Sequence, residues 1–197
     1  VILGLTVLWG FLVNYAMVRY IDPALVRSID FRLFLIGYFV LCFLGIYIFK
    51  KSTNPLVSFF GYNLVVIPFG FVLNIIISQY DPTLVLDAIQ VTGVVTLAML
   101  VLGTLYPAFF ASIIRPITII LIITIIVELV LVLFFHRSFE IIDWIVAIVF
   151  CGYIGYDWGR ANRIPKTVDN AVDSAASIYM DIINLFVRIL RIMGRKR

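Results

Sequence analysis

The chain reads as an all-α membrane protein, polytopic, with seven transmembrane helices. Three observations predict this. Of 197 residues, 63% are hydrophobic and 13% are charged, against about 45–50% and about 25% in soluble domains. The mean hydropathy is +1.14. Apolar segments of the length that crosses a bilayer, about 20 residues, follow one another with only short breaks. A water-soluble fold has nowhere to bury so much apolar surface, so one transmembrane domain over residues 1–197 is expected.

The segments run as follows. Residues 1–20 are stopped by the turn at Asp22 and Pro23. Residues 31–49 are closed by Lys50 and Lys51, then Ser52, Asn54 and Pro55. Residues 56–78 end at Asp81 and Pro82, and residues 84–106 end at Pro107. The fifth segment, 116–135, opens on Pro116, where a first helical turn tolerates proline. The sixth is 140–156, with a continuation toward Arg160, and the seventh is 171–193. β-Branched residues abound, but in lipid every backbone group must be paired within its own segment, so helix wins over strand at these lengths. Pro68 and Gly70 interrupt the third segment, with Asn63 and Asn74 nearby; they read either as a hinge or as ordinary packing.

The chain opens at Val1 without a methionine and is apolar at once, which reads as a truncated N-terminus. A cleaved signal peptide is not expected, because no small-residue cleavage site follows a short apolar core. Cys42 and Cys151 lie inside apolar runs and read as small core residues. His136, the single histidine, sits beside Arg137 in a short loop and reads as a solvated side chain. No metal-ligand spacing is present, and no resident cofactor is expected.

The net charge is +4 and the pI about 9.2. The basic residues sit between apolar segments and at the C-terminus, where anionic headgroups and topology signals account for them. The lipid bilayer is therefore the expected partner, and nucleic acid is not. One side collects Lys50, Lys51, Arg115, Arg160, Arg163 and Lys166; the other collects Arg19, Arg27, Arg32, Arg137, Arg188, Arg191, Arg195, Lys196 and Arg197. By charge alone, the second side is cytoplasmic.

Charges in a bilayer core cost roughly 2.5–3.5 kcal/mol each on insertion scales, so each one asks for a reason. In the last segment Asn170, Ser174, Ser177, Asp181, Asn184, Arg188 and Arg191 recur at spacings of 4, 3, 4, 3, 4 and 3. That rhythm puts them on one face of an otherwise apolar helix. Such a seam is either hydrogen-bonding glue between helices or a water-accessible path for ions or protons. The carboxylate at its centre favours the path, because glue needs no acid. Asp157, near the end of the sixth segment, is interfacial if taken alone. Paired with Asp181 it becomes a second carboxylate, and two carboxylates within hydrogen-bond reach share a proton. Depth stands against the pairing. A helix starting at Ala171 puts Asp181 roughly 15 Å along it, so the two meet only if that helix starts outside the bilayer or the preceding one ends deeper. Glu128 in the fifth segment is either a further ion or proton ligand or a buried acid paired with a base such as Arg188.

The C-terminal quarter resembles the Bax inhibitor-1 family. The resemblance rests on Tyr156-Asp157, on the run Ser177, Ile178, Tyr179, Met180, Asp181, Ile182, Ile183, Asn184, Leu185, Phe186, and on Ile189, Leu190, Arg191 and Gly194. Its bacterial members of the YetJ type carry a similar Tyr-Asp, then Leu-Tyr-Leu-Asp-Phe-Ile-Asn-Leu-Phe. The resemblance implies a seven-helix fold with the last helix central. It implies a pH-sensitive calcium leak in a bacterial plasma membrane, with Asp157 and Asp181 as the pH-sensing pair and as the candidate calcium ligands. It also implies a basic latch after the second segment, for which Lys50 and Lys51 are the candidates, and a cytoplasmic location for that end, opposite to the charge count. Ser174, Ser177, Asn184 and Arg188 would then line the pore. This chain departs from the family in having lysine, which lacks the bidentate fork, where the latch is usually arginine, and in carrying Ile75 where the third-segment Gly-x-x-Leu-x-Pro of relatives has its proline. Glu128 takes no family role.

Two functions from different classes follow. One is a calcium leak gated by protons, with calcium ions and protons as its partners. The other is a membrane interaction protein that regulates membrane proteases or stress responses without transport, with other membrane proteins as its partners. The chain is not read as an enzyme: Tyr156-Asp157 also fits the first half of an intramembrane aspartyl protease site, but the Gly-x-Gly-Asp of the second half is absent.

Overall fold

The computed structural model describes residues 1–135 and 139–195. His136, Arg137, Lys196 and Arg197, named above, lie outside the described residues. Every regular element among the described residues is a helix: α1 (Ile2–Tyr20), α2 (Pro23–Arg27), α3 (Phe31–Lys51), α4 (Pro55–Ile77), α5 (Pro82–Leu105), α6 (Pro107–Phe135), α7 (Glu140–Ala161) and α8 (Val168–Gly194). Among the described residues, α1, α3, α4, α5, α6 and α7 are long and apolar enough to cross a membrane. α8 is the seventh long helix. Its polar seam keeps it off that set, yet no residue between 169 and 194 is exposed. The outward faces of the other helices carry large apolar side chains, such as Ile119, Ile122, Ile123 and Ile126 on α6. Water would not tolerate such surfaces, but lipid does.

The contacts cluster in two compact units. The first holds residues 1–81 and 164–179. Its helix ends are set by short polar caps. Asp22 accepts from the Ala24 amide at 2.8 Å and Pro23 opens α2, so the expected turn is a short helix. Asp30 caps α3 through the amides of Arg32 and Leu33, and Asn54 caps α4 through Leu56. α3 and α4 touch backbone to backbone: a Cβ on Gly45 would lie 2.5 Å from the Gly61 carbonyl oxygen. α4 runs unbroken through Pro68 and Gly70, so the proline is absorbed and no interruption results. Asn14 of α1 donates to the Val66 carbonyl at 3.0 Å, and Asn74 of α4 donates to the carbonyls of Ile21 and Met17 at 2.9 and 3.2 Å. These amides bind α1 to α4 where water is absent and an unmade bond is costly.

The first half of α8 enters this unit through Tyr179, which is fully buried. Its ring packs on Phe11, Tyr62 and Phe69, and its hydroxyl donates to Asn14 Oδ1. Tyr179→Phe removes that donor and strands a buried amide oxygen. The expected loss is about 1–2 kcal/mol, read as a lower melting temperature in detergent, with little change for Tyr47→Phe at the exposed rim.

The second unit holds residues 82–163 and α8 from Met180 onward. α5 and α7 meet at glycines. A Cβ on Gly103 would collide with the Gly155 carbonyl, and one on Gly159 would lie 3.0 Å from the Gly103 carbonyl oxygen. Trp158 Nε1 donates to Thr104 Oγ1 at 2.8 Å beside this contact. Two helix starts differ most from the sequence reading. α6 starts at Pro107, so Pro116 lies inside it rather than in its first turn. Pro107 already supplies the preset φ and the missing N–H that suit a helix start. α8 starts at Val168, one turn before Ala171, because Thr167 caps it: the Asn170 amide donates to Thr167 Oγ1 at 3.1 Å.

Candidate functional site

Both aspartates fall in the second unit. Asp157 lies on α7 between Gly155, whose backbone Gly103 of α5 touches, and Gly159, where a Cβ would lie 3.0 Å from the Gly103 carbonyl oxygen. It is half-buried. Asp181 lies on α8 and is 7% exposed. Tyr153 lies one turn before Asp157 on α7. Its hydroxyl shares a hydrogen bond of 2.7 Å with Thr118 Oγ1 of α6, which holds the phenol in place. Sequence reasoning passed over Tyr153 because a tyrosine in an apolar run looks like core. Its position four residues before Asp157 was the available signal.

The seam divides between the units. Ser174 and Ser177 belong to the first and are half-buried. Asn184 belongs to the second, and its Nδ2 donates to the Met180 carbonyl at 2.8 Å, back onto its own helix. Arg188 does not stand alone in the seam. It grips Glu128 with both guanidinium nitrogens, at 2.9 and 2.7 Å, and reaches Asp143 Oδ1 at 2.7 Å. Arg191 adds a contact to Glu128 at 3.1 Å, and Arg195 one to Asp143 Oδ2 at 3.0 Å. Of the two roles open to Glu128, the structure displays the paired acid. Asp143 and Arg195 were missed in the sequence. Asp143 sits in the first turn of α7, where an acid matches the helix dipole and draws no notice. The signal was the seam itself: Arg195 extends its rhythm by four residues, and a buried cation such as Arg188 on that stripe calls for acids from other helices.

Of the latch candidates, Lys50 is exposed at the end of α3. Lys51 is exposed too, and its ammonium donates to the Tyr47 hydroxyl at 2.8 Å. Among the described residues no group of three or more His, Cys, Asp or Glu side chains is arranged to hold a metal ion. Ser58 Oγ donates to Asp169 Oδ1 at 2.6 Å, tying α4 to the start of α8 within the first unit.

Six apolar spanning helices and a seventh that hides acids and arginines from lipid define a multi-pass integral membrane protein. The whole chain, residues 1–197, matches the family model described as Inhibitor of apoptosis-promoting Bax1. The chain belongs to that family. It is 30% identical over 142 residues to an uncharacterized membrane protein of Streptococcus pyogenes, a stretch that makes up 64% of this chain and 58% of that protein. It is 28% identical over 142 residues to Bax inhibitor 1 of Schizosaccharomyces pombe, covering 64% of this chain and 47% of that one. A shorter stretch of 57 residues is 44% identical to Protein LIFEGUARD 3 of Arabidopsis thaliana, covering 28% of this chain and 22% of that protein. The chain thus spans about half the length of the longer-matching curated relatives.

Proposed function

We propose that the protein is a pH-sensitive calcium leak whose gate is the proton shared by Asp157 and Asp181. The observation that carries this reading is Asp181, 7% exposed on a helix of which no residue from 169 to 194 is exposed, in the same compact unit as Asp157. The burial of α8 supports it, since no residue from 169 to 194 is exposed.

With both carboxylates ionised, the pair attracts a divalent cation, and a proton removes part of that charge. Calcium takes six to eight oxygen ligands. Two aspartates supply some of them, and the Tyr153 hydroxyl, seam amides, carbonyls and water supply the rest. Glu128 is held by Arg188 and Arg191 and contributes nothing here. The cation is cargo, no resident cofactor takes part, and no covalent bond is made or broken.

The test is calcium flux into liposomes across a pH series. Wild-type flux is expected to change with pH, and Asp157→Asn and Asp181→Asn are each expected to flatten that response, because a fixed amide cannot exchange the proton. If both variants keep the amplitude and the pH response of wild type, the pair is not the gate. If the wild type carries no calcium while a membrane protein co-purifies with it, the interaction reading replaces the leak.

A further inference from the structure

Asp181 shares a turn of α8 with Tyr179, two residues before it. That spacing places the two about 200° apart around the helix axis and about 3 Å apart along it. They leave α8 on opposite sides. The tyrosine side is gripped. The ring packs on Phe11 of α1 and on Tyr62 and Phe69 of α4, with ring centres 5.4 Å apart for the Tyr62 pair. Bare backbone of α1 makes room for it: a Cβ on Gly10 would collide with the Tyr62 hydroxyl and lie 2.8 Å from the Tyr179 ring. The Tyr179 hydroxyl donates to Asn14 Oδ1. Asn14 is itself 3% exposed, and its Nδ2 donates to the Val66 carbonyl of α4 at 3.0 Å. That second bond fixes which end of the amide faces the tyrosine, because only the nitrogen can donate.

From this arrangement we infer that Asn14 is a positioning residue for Asp181: through the Tyr179 hydroxyl it sets the rotation and depth of the α8 turn that carries the carboxylate. The inference rests on the proposed leak for its consequence, since Asp181 is half of the proposed gate. Ring packing is non-directional and tolerates small rotations, whereas a hydrogen bond weakens steeply once it is misaligned. Tyr179 closes the first compact unit and Met180 opens the second, yet both lie on one unbroken helix. A turn held on its tyrosine side therefore presents its aspartate in one direction only, and Asn14 acts on the carboxylate without touching it.

The test measures the carbon-13 carboxyl resonance of Asp181, assigned by its loss in Asp181→Asn, on the purified full chain in detergent micelles at one fixed pH. Asn14→Leu and Tyr179→Phe are each expected to move it, and the double variant to move it no further than Asn14→Leu alone, because both act through one bond. Asn74→Leu is the control. Asn74 is equally buried and binds α4 to α1 through the carbonyls of Met17 and Ile21, so its loss is expected to lower the melting temperature while leaving the resonance in place. Calcium flux into phosphatidylcholine liposomes at the same pH is expected to change several-fold in Asn14→Leu and Tyr179→Phe and to hold in Asn74→Leu. A resonance unmoved in the first two variants, or moved as far by Asn74→Leu, overturns the assignment. A wild type that carries no calcium removes the leak, and the resonance then decides the positioning by itself.

Discussion

Arg188→Ala is expected to lower the unfolding free energy by about 3 kcal/mol. Arg188 makes two contacts to Glu128 and one of 2.7 Å to Asp143. Removing it leaves Asp143, 2% exposed, with its charge away from water and its nearest partner gone. Arg191 and Arg195 remain close to the two acids, at 3.1 and 3.0 Å, and keep the loss at the lower end of what a broken buried pair costs. Two companion variants make the cause visible. Arg191→Ala, at a third-exposed position, is expected to cost no more than about 1 kcal/mol. Asp143→Asn in the Arg188→Ala background is expected to recover part of the loss, because it discharges the stranded group. Reversible unfolding in detergent micelles reads all three. Equal losses for Arg188→Ala and Arg191→Ala, with no recovery in the double variant, would show that the pairing carries no weight.

Gly103→Val is expected to cost about 2–3 kcal/mol and to impair the site as well. A Cβ there collides with the carbonyl of Gly155. Both sides of that contact are helical backbone, so no side chain can turn away and the helices must part. Parting them breaks the bond from Trp158 to Thr104 and moves the turn of α7 that holds Asp157. The same helix supplies its own control: nothing lies within 4 Å of a Cβ placed on Gly93. Gly93→Ala is therefore expected to leave flux unchanged and to raise stability by several tenths of a kcal/mol, as alanine is the better helix former. A Gly103→Val protein that melts with wild type and leaks with the wild-type pH response would contradict the close approach.

The helices were largely legible because lipid imposes a simple demand, about 20 apolar residues with all backbone bonds internal. Their ends were less so. Pro107 and Thr167 start helices from positions outside the apolar runs, which is why α6 and α8 begin earlier than the runs do. Within the site, the periodicity of α8 exposed Asp181, Asn184, Arg188 and Arg191 together, and the charge of Glu128 named it as a partner for Arg188. Asp143 stayed hidden because an acid at the start of a helix needs no partner to explain it. Tyr153 and the glycine contact of α5 with α7 stayed hidden for a different reason. Their meaning depends on which helices are neighbours, and no periodicity within one segment encodes that.

The enclosure of α8 also bears on how the chain is made. Asp181, Arg188 and Arg191 would each resist entry into lipid if α8 left the insertion machinery alone. Companions that neutralise two of them, Glu128 and Asp143, are synthesised first. The last helix is thus accepted into the bilayer as a guest of earlier ones, and a ribosome that delivers it before α6 and α7 have settled delivers a segment the membrane rejects.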